Sequence, residues 1–237
     1  MKSTAHLSFL IWACLACGVS LAQKQPEVKV IGAMRDVMWK GELQGAIDLD
    51  TIARKSHLFG LGPLEYLAGE LLIIDGKAYK STVRDSGILV EETFETKAPF
   101  FVYTNVDRWY EHALPDSVLD LKSLERYLNS KFQKINKPFA FKLSATTRSG
   151  VIHVVNLPKG VTVSSPDDAH QGEKKYAVAN QSSEVIGFFS REHQGVFTHH
   201  DTFLHLHLIT VDRSKMGHVD ELAIKKGTGK LFLPWAP

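Results

Sequence analysis

The chain of 237 residues carries 28 Lys and Arg against 26 Asp and Glu, a formal net charge of +2 with histidine neutral. A balance this close to neutral argues against nucleic acid or an anionic membrane surface as a partner. Beyond the N-terminal segment no stretch approaches the roughly 20 apolar residues of a membrane span, and the length allows one large or two small domains.

Lys2 and His6 precede an apolar run from Leu7 to Leu15, and Ser20-Leu21-Ala22 supplies small residues before a processing point. This pattern predicts a secretory signal over residues 1–22, cleaved before Gln23, and an exported protein, periplasmic or secreted. Lipidation through Cys17 is the lesser alternative, because Cys14 stands three positions earlier where a large aliphatic residue is expected. Both cysteines fall inside the signal, so the mature chain has no disulfide and no thiolate ligand. Any transition metal must then be held by histidine and carboxylate. Cleavage leaves 27 basic against 26 acidic residues, and six of the ten remaining histidines lie between His193 and His218.

Asp48 to Lys55 reads as a brief helix, acidic at its start and basic at its end. After the turn Gly60-Leu61-Gly62-Pro63 comes a hairpin: strand Gly69 to Ile74, turn Asp75-Gly76 and return strand Lys77 to Thr82. Phe100 to Asn105 is a further strand. Val118 to Phe132 is predicted helical, with Leu121, Leu124, Leu128 and Phe132 at helical spacing and Asp120 as a cap. Phe139 to Ala145 and Val151 to Asn156, separated by Thr-Thr-Arg-Ser-Gly, read as a second hairpin. Residues 157–175, rich in Pro, Gly, Ser and Asp, read as a loop between two halves. Strands are predicted at Glu184–Phe189, Phe203–Thr210, Val219–Lys225 and Lys230–Leu233. The expected fold is α+β, with mainly antiparallel or mixed sheets, a few helices and two β-rich halves, 23–160 and 161–237, enclosing a metal site.

In Phe203-Leu204-His205-Leu206-His207-Leu208-Ile209, leucines take one strand face and histidines the other. Residues i and i+2 lie about 6.6 Å apart along a strand, and two imidazoles so placed converge on one ion at about 2.0–2.1 Å. If the loop after Val211 closes a hairpin, His218 returns beside the pair. Three protein ligands leave one coordination position open, the mark of a catalytic rather than a structural zinc site. The plainer alternative is half-buried strand histidines bonded to backbone carbonyls. His193, His199 and His200 precede the strand in a loop and are expected to be mostly solvated. The spacing does not suit a cupin, which would place a glutamate where Thr210 and Val211 stand, nor an α-carbonic anhydrase, whose third histidine lies farther downstream.

Gly60-Leu61-Gly62, Leu67-Ala68-Gly69-Glu70-Leu71 and Asp75-Gly76-Lys77-Ala78-Tyr79 resemble the signature of α-acetolactate decarboxylases. Ile186-Gly187-Phe188, His205-Leu206-His207, Gly217-His218-Val219 and Leu231-Phe232-Leu233-Pro234 resemble that family's second half, so the likeness runs from about residue 33 onward. The resemblance implies a Zn2+ enzyme that converts a small-molecule 2-hydroxy-3-oxo acid, 2-acetolactate, to acetoin and CO2, and it suggests a homodimer. It implies metal ligation by His205, His207 and His218, with Glu70 as a metal-site carboxylate that transfers protons. Strand alternation sets Glu70 beside Leu72 and Ile74, a semi-buried setting that raises a carboxyl pKa.

The likeness departs at three places. Where the family carries an arginine for the substrate carboxylate, this chain has His153, with Arg148 in the adjacent turn and Lys142 on the preceding strand as other cations. The family's C-terminal tail glutamate has no counterpart before Pro237, and Pro63 replaces a usual threonine. Asp220, two residues from His218, is the first replacement acid to inspect, ahead of Asp201 and Glu221. His153 or Arg148 is expected to neutralise the substrate. The rival functions are a metal- or ligand-binding relative without turnover and a zinc-dependent hydrolase using Glu70 as base.

Overall fold

A computed structural model describes residues 25–237. The expected signal segment 1–22, with Cys14 and Cys17, lies outside the described residues. In chain order the first elements are β1 (Lys29–Ile31), α1 (Met34–Lys40), β2 (Ile47–Asp48), β3 (Leu58–Pro63), β4 (Glu70–Ile74), β5 (Lys77–Arg84), β6 (Gly87–Glu92), β7 (Lys97–Ala98) and β8 (Phe101–Asn105). There follow β9 (Tyr110–His112), α2 (Leu121–Lys131), β10 (Phe139–Val154), α3 (Pro166–Ala169), β11 (Lys174–Phe189), β12 (Leu204–Thr210), β13 (Met216–Ile224) and β14 (Lys230–Leu233). Among the described residues no helix is long and apolar enough to cross a membrane.

The architecture is α+β and antiparallel, as expected. One six-stranded sheet runs β1-β8-β3-β4-β5-β6, and a second runs β11-β12-β13-β10-β14-β9. Because β10 also pairs with β11, the strands β10, β11, β12 and β13 form a closed ring of pairings. Leu204, Leu206 and Leu208 point into that ring among Phe139, Phe141 and Val219. Each such side chain contributes about 1.5–3 kcal/mol on full burial. The opposite face of β12 carries Ile209, which packs with Ile186 and Phe188 against Leu61 and Leu72 of the first sheet. Side chains alternate along a strand, so His205 and His207 share the Ile209 face and look across at the first sheet. Glu70, on the face of Leu72 and Ile74, looks back.

The β4–β5 hairpin forms as read. Ile74 pairs with Lys77, and Asp75 and Gly76 both take positive φ, 47° and 78°, the backbone a two-residue hairpin turn demands. The main helix is shorter than expected, Leu121–Lys131, but Asp120 caps it through the Ser123 amide at 2.7 Å.

Several expectations are corrected. The predicted second hairpin is one 16-residue strand, β10. Its turn-like residues form a bulge instead: the β10–β13 register shifts between Thr147 and Ser149, leaving Arg148 unpaired. The expected helix over 48–55 is only a 3-10 turn, Leu49–Thr51. α1 and β6 were not legible, and β11 begins ten residues earlier than read, inside the expected loop. The chain leaves the first sheet after Asn105 and enters the second at Tyr110, and β10 pairs with β11 from end to end.

Candidate metal centre

The site lies at the seam between the sheets. β12 supplies His205 and His207, and antiparallel pairing sets His207 opposite His218 of β13 and His218 opposite His153 of β10. Gly217 makes the last pairing possible: a Cβ there would stand 2.4 Å from the His153 carbonyl oxygen. One ligand atom from each of His205, His207 and His218 lies within 4.8 Å of the others. Their ring centroids are 5.0–5.5 Å apart.

His205 and His207 are buried, at 2% and 0% exposure, and His218 is half-buried. Burial, reinforced by neighbouring histidines, holds His205 and His218 well below the usual imidazole range, and burial takes His207 down to about 3. All three are therefore neutral, the form that offers a lone pair to a metal. His205 Nδ1 and His207 Nε2 are buried without a hydrogen-bond partner, a costly state that a bound cation relieves. From the first sheet, Glu70 Oε2 approaches His207 Nε2 to 3.6 Å. That is too long for a hydrogen bond but close to the separation, about 3.3 Å, of two atoms bound tetrahedrally to one zinc. Three imidazoles, a carboxylate and orphaned buried nitrogens fit a divalent metal.

Glu70 is 2% exposed, and its Oε1 accepts from the Val155 amide at 3.3 Å. Burial pushes its carboxyl up to about 8, with the Glu173 and Asp220 charges adding to the rise, while His153 and the Val155 amide oppose it. His153 is 6% exposed and stacks on His218 at 4.7 Å. Its Nδ1 lies 2.6 Å from Asp220 Oδ1. Burial works against the His153 charge, yet the Asp220 hydrogen bond and the Glu70, Asp220 and Glu173 charges raise its pKa overall. The β10–β13 register shift between Val151 and Ile152 skips Asp220, a bulge that brings its carboxylate to His153.

Five of the residues read from sequence thus come together: Glu70, His153, His205, His207 and His218. Arg148 does not join them. It is exposed at its bulge, five residues or about 16 Å of extended strand from His153. Asp201 and Glu221 are also exposed. Three residues at the centre were missed. His199, read as solvated, has its ring 5.0 Å from that of His218, because the loop before β12 is held down by Met34 and Arg35 amides of α1 bonding to Val196 and Gly195 carbonyls. His170 and Glu173 follow α3, in a segment read as loop, and their i, i+3 spacing was the available signal. A cavity of about 30 Å3 lies among Glu70, His153, His170, His205 and the apolar Met34 and Phe100. His199 and His218 wall both this cavity and a groove of about 400 Å3 running along α2.

The two-sheet α+β fold with a three-histidine group at its seam defines a class of protein with a candidate metal centre. Within it, this chain belongs to the alpha-acetolactate decarboxylase family, whose model matches residues 32–232. It is 26% identical over 189 residues to the alpha-acetolactate decarboxylase of Lactococcus lactis subsp. cremoris, covering 79% of this chain and 76% of that one. It is 27% identical over 199 residues to the enzyme of Methanosarcina mazei, covering 83% and 66%. Against the Brevibacillus brevis enzyme it is 26% identical, and the match spans 60% of that protein's length. The alpha-acetolactate decarboxylase structure from Bacillus subtilis superposes with a TM-score of 0.68 at 19% identity, covering 88% of this chain and 86% of that one. A Staphylococcus aureus structure titled as a protein of unknown function similar to alpha-acetolactate decarboxylase superposes at 0.70 and 17% identity, covering 87% and 84%. Family and fold together support a carboxy-lyase.

Proposed function

We propose that this protein decarboxylates 2-acetolactate, or a closely related 2-hydroxy-3-oxo acid, to acetoin and CO2, with Zn2+ held by His205, His207 and His218. The observation that carries the reading is the convergence of three histidines from one sheet, two of them buried, with Glu70 of the other sheet 3.6 Å from His207. Zinc suits this nitrogen and oxygen donor set, and the mature chain offers no thiolate. When bound, the ion supplies Lewis acidity toward the oxygens neighbouring the scissile bond.

The chain's own groups do the rest. Decarboxylation breaks the bond between the carboxylate carbon and its neighbour, and the electron pair remains on that neighbour. In the metal-free protein burial raises the Glu70 carboxyl to about 8, and the group is placed to carry a proton to this carbon. Water then returns a proton to Glu70 through the groove past His199 and His218. Met34, Met38, Leu67 and Phe100 exclude bulk water from the inner cavity, which strengthens every charge interaction inside it. Asp220 fixes the His153 ring, so its Nε2 faces the cavity 3.9 Å from Glu70 Oε1.

We also take the protein to be exported, on the charge and hydropathy of its first 22 residues. A metal-holding relative without turnover is the second reading, favoured by the acids that surround His153 where the resemblance expects an arginine. The two part on one experiment. Protein stripped by chelator and reloaded with zinc is given racemic 2-acetolactate. Acetoin formed only after reloading supports the decarboxylase, and bound zinc with no acetoin above the uncatalysed background sinks it.

A further inference from the structure

Beside the three histidines, where His153 stacks on His218 and lines the same cavity, lies a second group with metal-ligand character. His153, Glu173 and Asp220 have ligand atoms within 4.8 Å of one another. The Asp220 bond takes His153 Nδ1, leaving Nε2 to face Glu173 Oε2 at 3.8 Å and Glu70 Oε1 at 3.9 Å. Neither separation is a hydrogen bond, although His153 is 6% exposed. His170 repeats the pattern. Its Nδ1 lies 2.7 Å from the Pro166 carbonyl oxygen, which can only accept, so Nδ1 is the donor and Nε2 stands 3.8 Å from the same Glu173 oxygen. A histidine whose one ring nitrogen is bound to an acceptor while the other points at carboxylates is how metal-ligating histidines are held.

Glu70 looks both ways. Its Oε2 stands 3.6 Å from His207 Nε2 and its Oε1 stands 3.9 Å from His153 Nε2. It stands between the three-histidine centre and the second group. Glu173 and Asp220 share one lysine, Lys175, 3.6 Å from Glu173 and 3.1 Å from Asp220, whose side chain is 62% exposed.

We propose that His153 and Glu173 hold a second divalent cation beside the ion on His205, His207 and His218, with Asp220 orienting His153 and Glu70 left between the two to carry its proton. The inference rests on the three-histidine centre of the proposed function and deepens it: the second ion supplies the charge that receives the substrate carboxylate. His170 stands beside Glu173 as a further donor. Mixed nitrogen and oxygen ligands suit zinc or manganese, and paired ions about 3.5–4 Å apart are an established arrangement for sharing a substrate.

The test is metal stoichiometry on the purified protein, stripped by chelator, dialysed against excess Zn2+ and then metal-free buffer, and counted by elemental analysis. The expected count is two ions per chain, falling to one in Glu173→Gln and in His153→Ala, each checked for an unchanged circular dichroism spectrum. Loading with Mn2+ should give a spin-coupled paramagnetic spectrum that collapses to the single-ion form in Glu173→Gln. One ion per chain, retained in Glu173→Gln and lost in His205→Ala/His207→Ala, overturns the second site and leaves the proposed function standing. Two uncoupled ions, both indifferent to Glu173→Gln and His153→Ala, also overturn it. No bound zinc in the unmodified protein removes the proposed function as well.

Discussion

Glu70 Oε2 and His207 Nε2 face each other at 3.6 Å across the seam between the two sheets, both buried and neither hydrogen-bonded to the other. A carboxylate and a neutral imidazole left this way inside a protein are destabilising unless something joins them. The first prediction concerns what joins them. Zinc at about a thousandfold over its dissociation constant should stabilise the fold by about 4 kcal/mol, roughly 10 °C in melting temperature for a chain of this size. His205→Ala/His207→Ala should show no such rise. Thermal melts with and without zinc check it, and an equal rise in both proteins would place the metal elsewhere.

Gly217→Ala tests how the ligands are assembled. The new Cβ would meet the His153 carbonyl oxygen at 2.4 Å, forcing β13 away from β10. Overpacking of this kind costs about 1–3 kcal/mol, and His218 moves with the strand. The expected result is a lower melting temperature without metal together with zinc affinity weakened at least tenfold. Unchanged affinity would mean that His218 is not held by this pairing.

Glu70→Gln separates proton transfer from folding. The folded carboxyl holds its proton up to about pH 8, so a neutral amide of similar shape should leave the metal-free protein about as stable at neutral pH. Acetoin formation should fall by about a hundredfold or more, the scale of a lost general acid. Retention of more than half the activity would remove Glu70 from the proton path.

The metal-free protein should be most stable near pH 6.5. His205, His207 and His218 stay neutral when folded but bind protons below 6.5 when unfolded, so stability rises with pH up to that point. Glu70 acts oppositely: folded, it keeps its proton to about 8, whereas unfolded it releases it near 4.5, so its contribution declines across that interval. His153, raised above 6.5, adds to the decline on the alkaline side. Three histidines outweigh one carboxyl below 6.5, and only declining contributions remain above it. Melting temperatures in chelator from about pH 5 to pH 9 check this, and a steady rise to pH 9 would contradict it.

The convergence of the three histidines was legible because strand alternation is a local property: Leu204 to Ile209 announces its two faces, and the antiparallel return of His218 follows from one short loop. Glu70 came from the family resemblance, and the Asp75-Gly76 turn placed it on a hairpin strand. The other side of the site was not. β10 was split at Thr147 to Gly150 because a bulge in a long strand uses the same residues as a turn. That error put Arg148 near the site, when the bulge leaves it exposed on the far part of the strand. His199, His170 and Glu173 reach the centre through long-range packing of α1 and α3 against the sheets, and no periodicity of three or four residues records such a contact.

The most direct test of the central claim, that the ion at the seam performs the decarboxylation, is acetoin formation by the zinc-loaded protein beside its His205→Ala/His207→Ala variant at equal protein concentration. The expected result is acetoin from the unmodified protein and none above background from the variant, with both folded by circular dichroism. Equal acetoin from the two, or none from a protein that has retained its zinc, would contradict it.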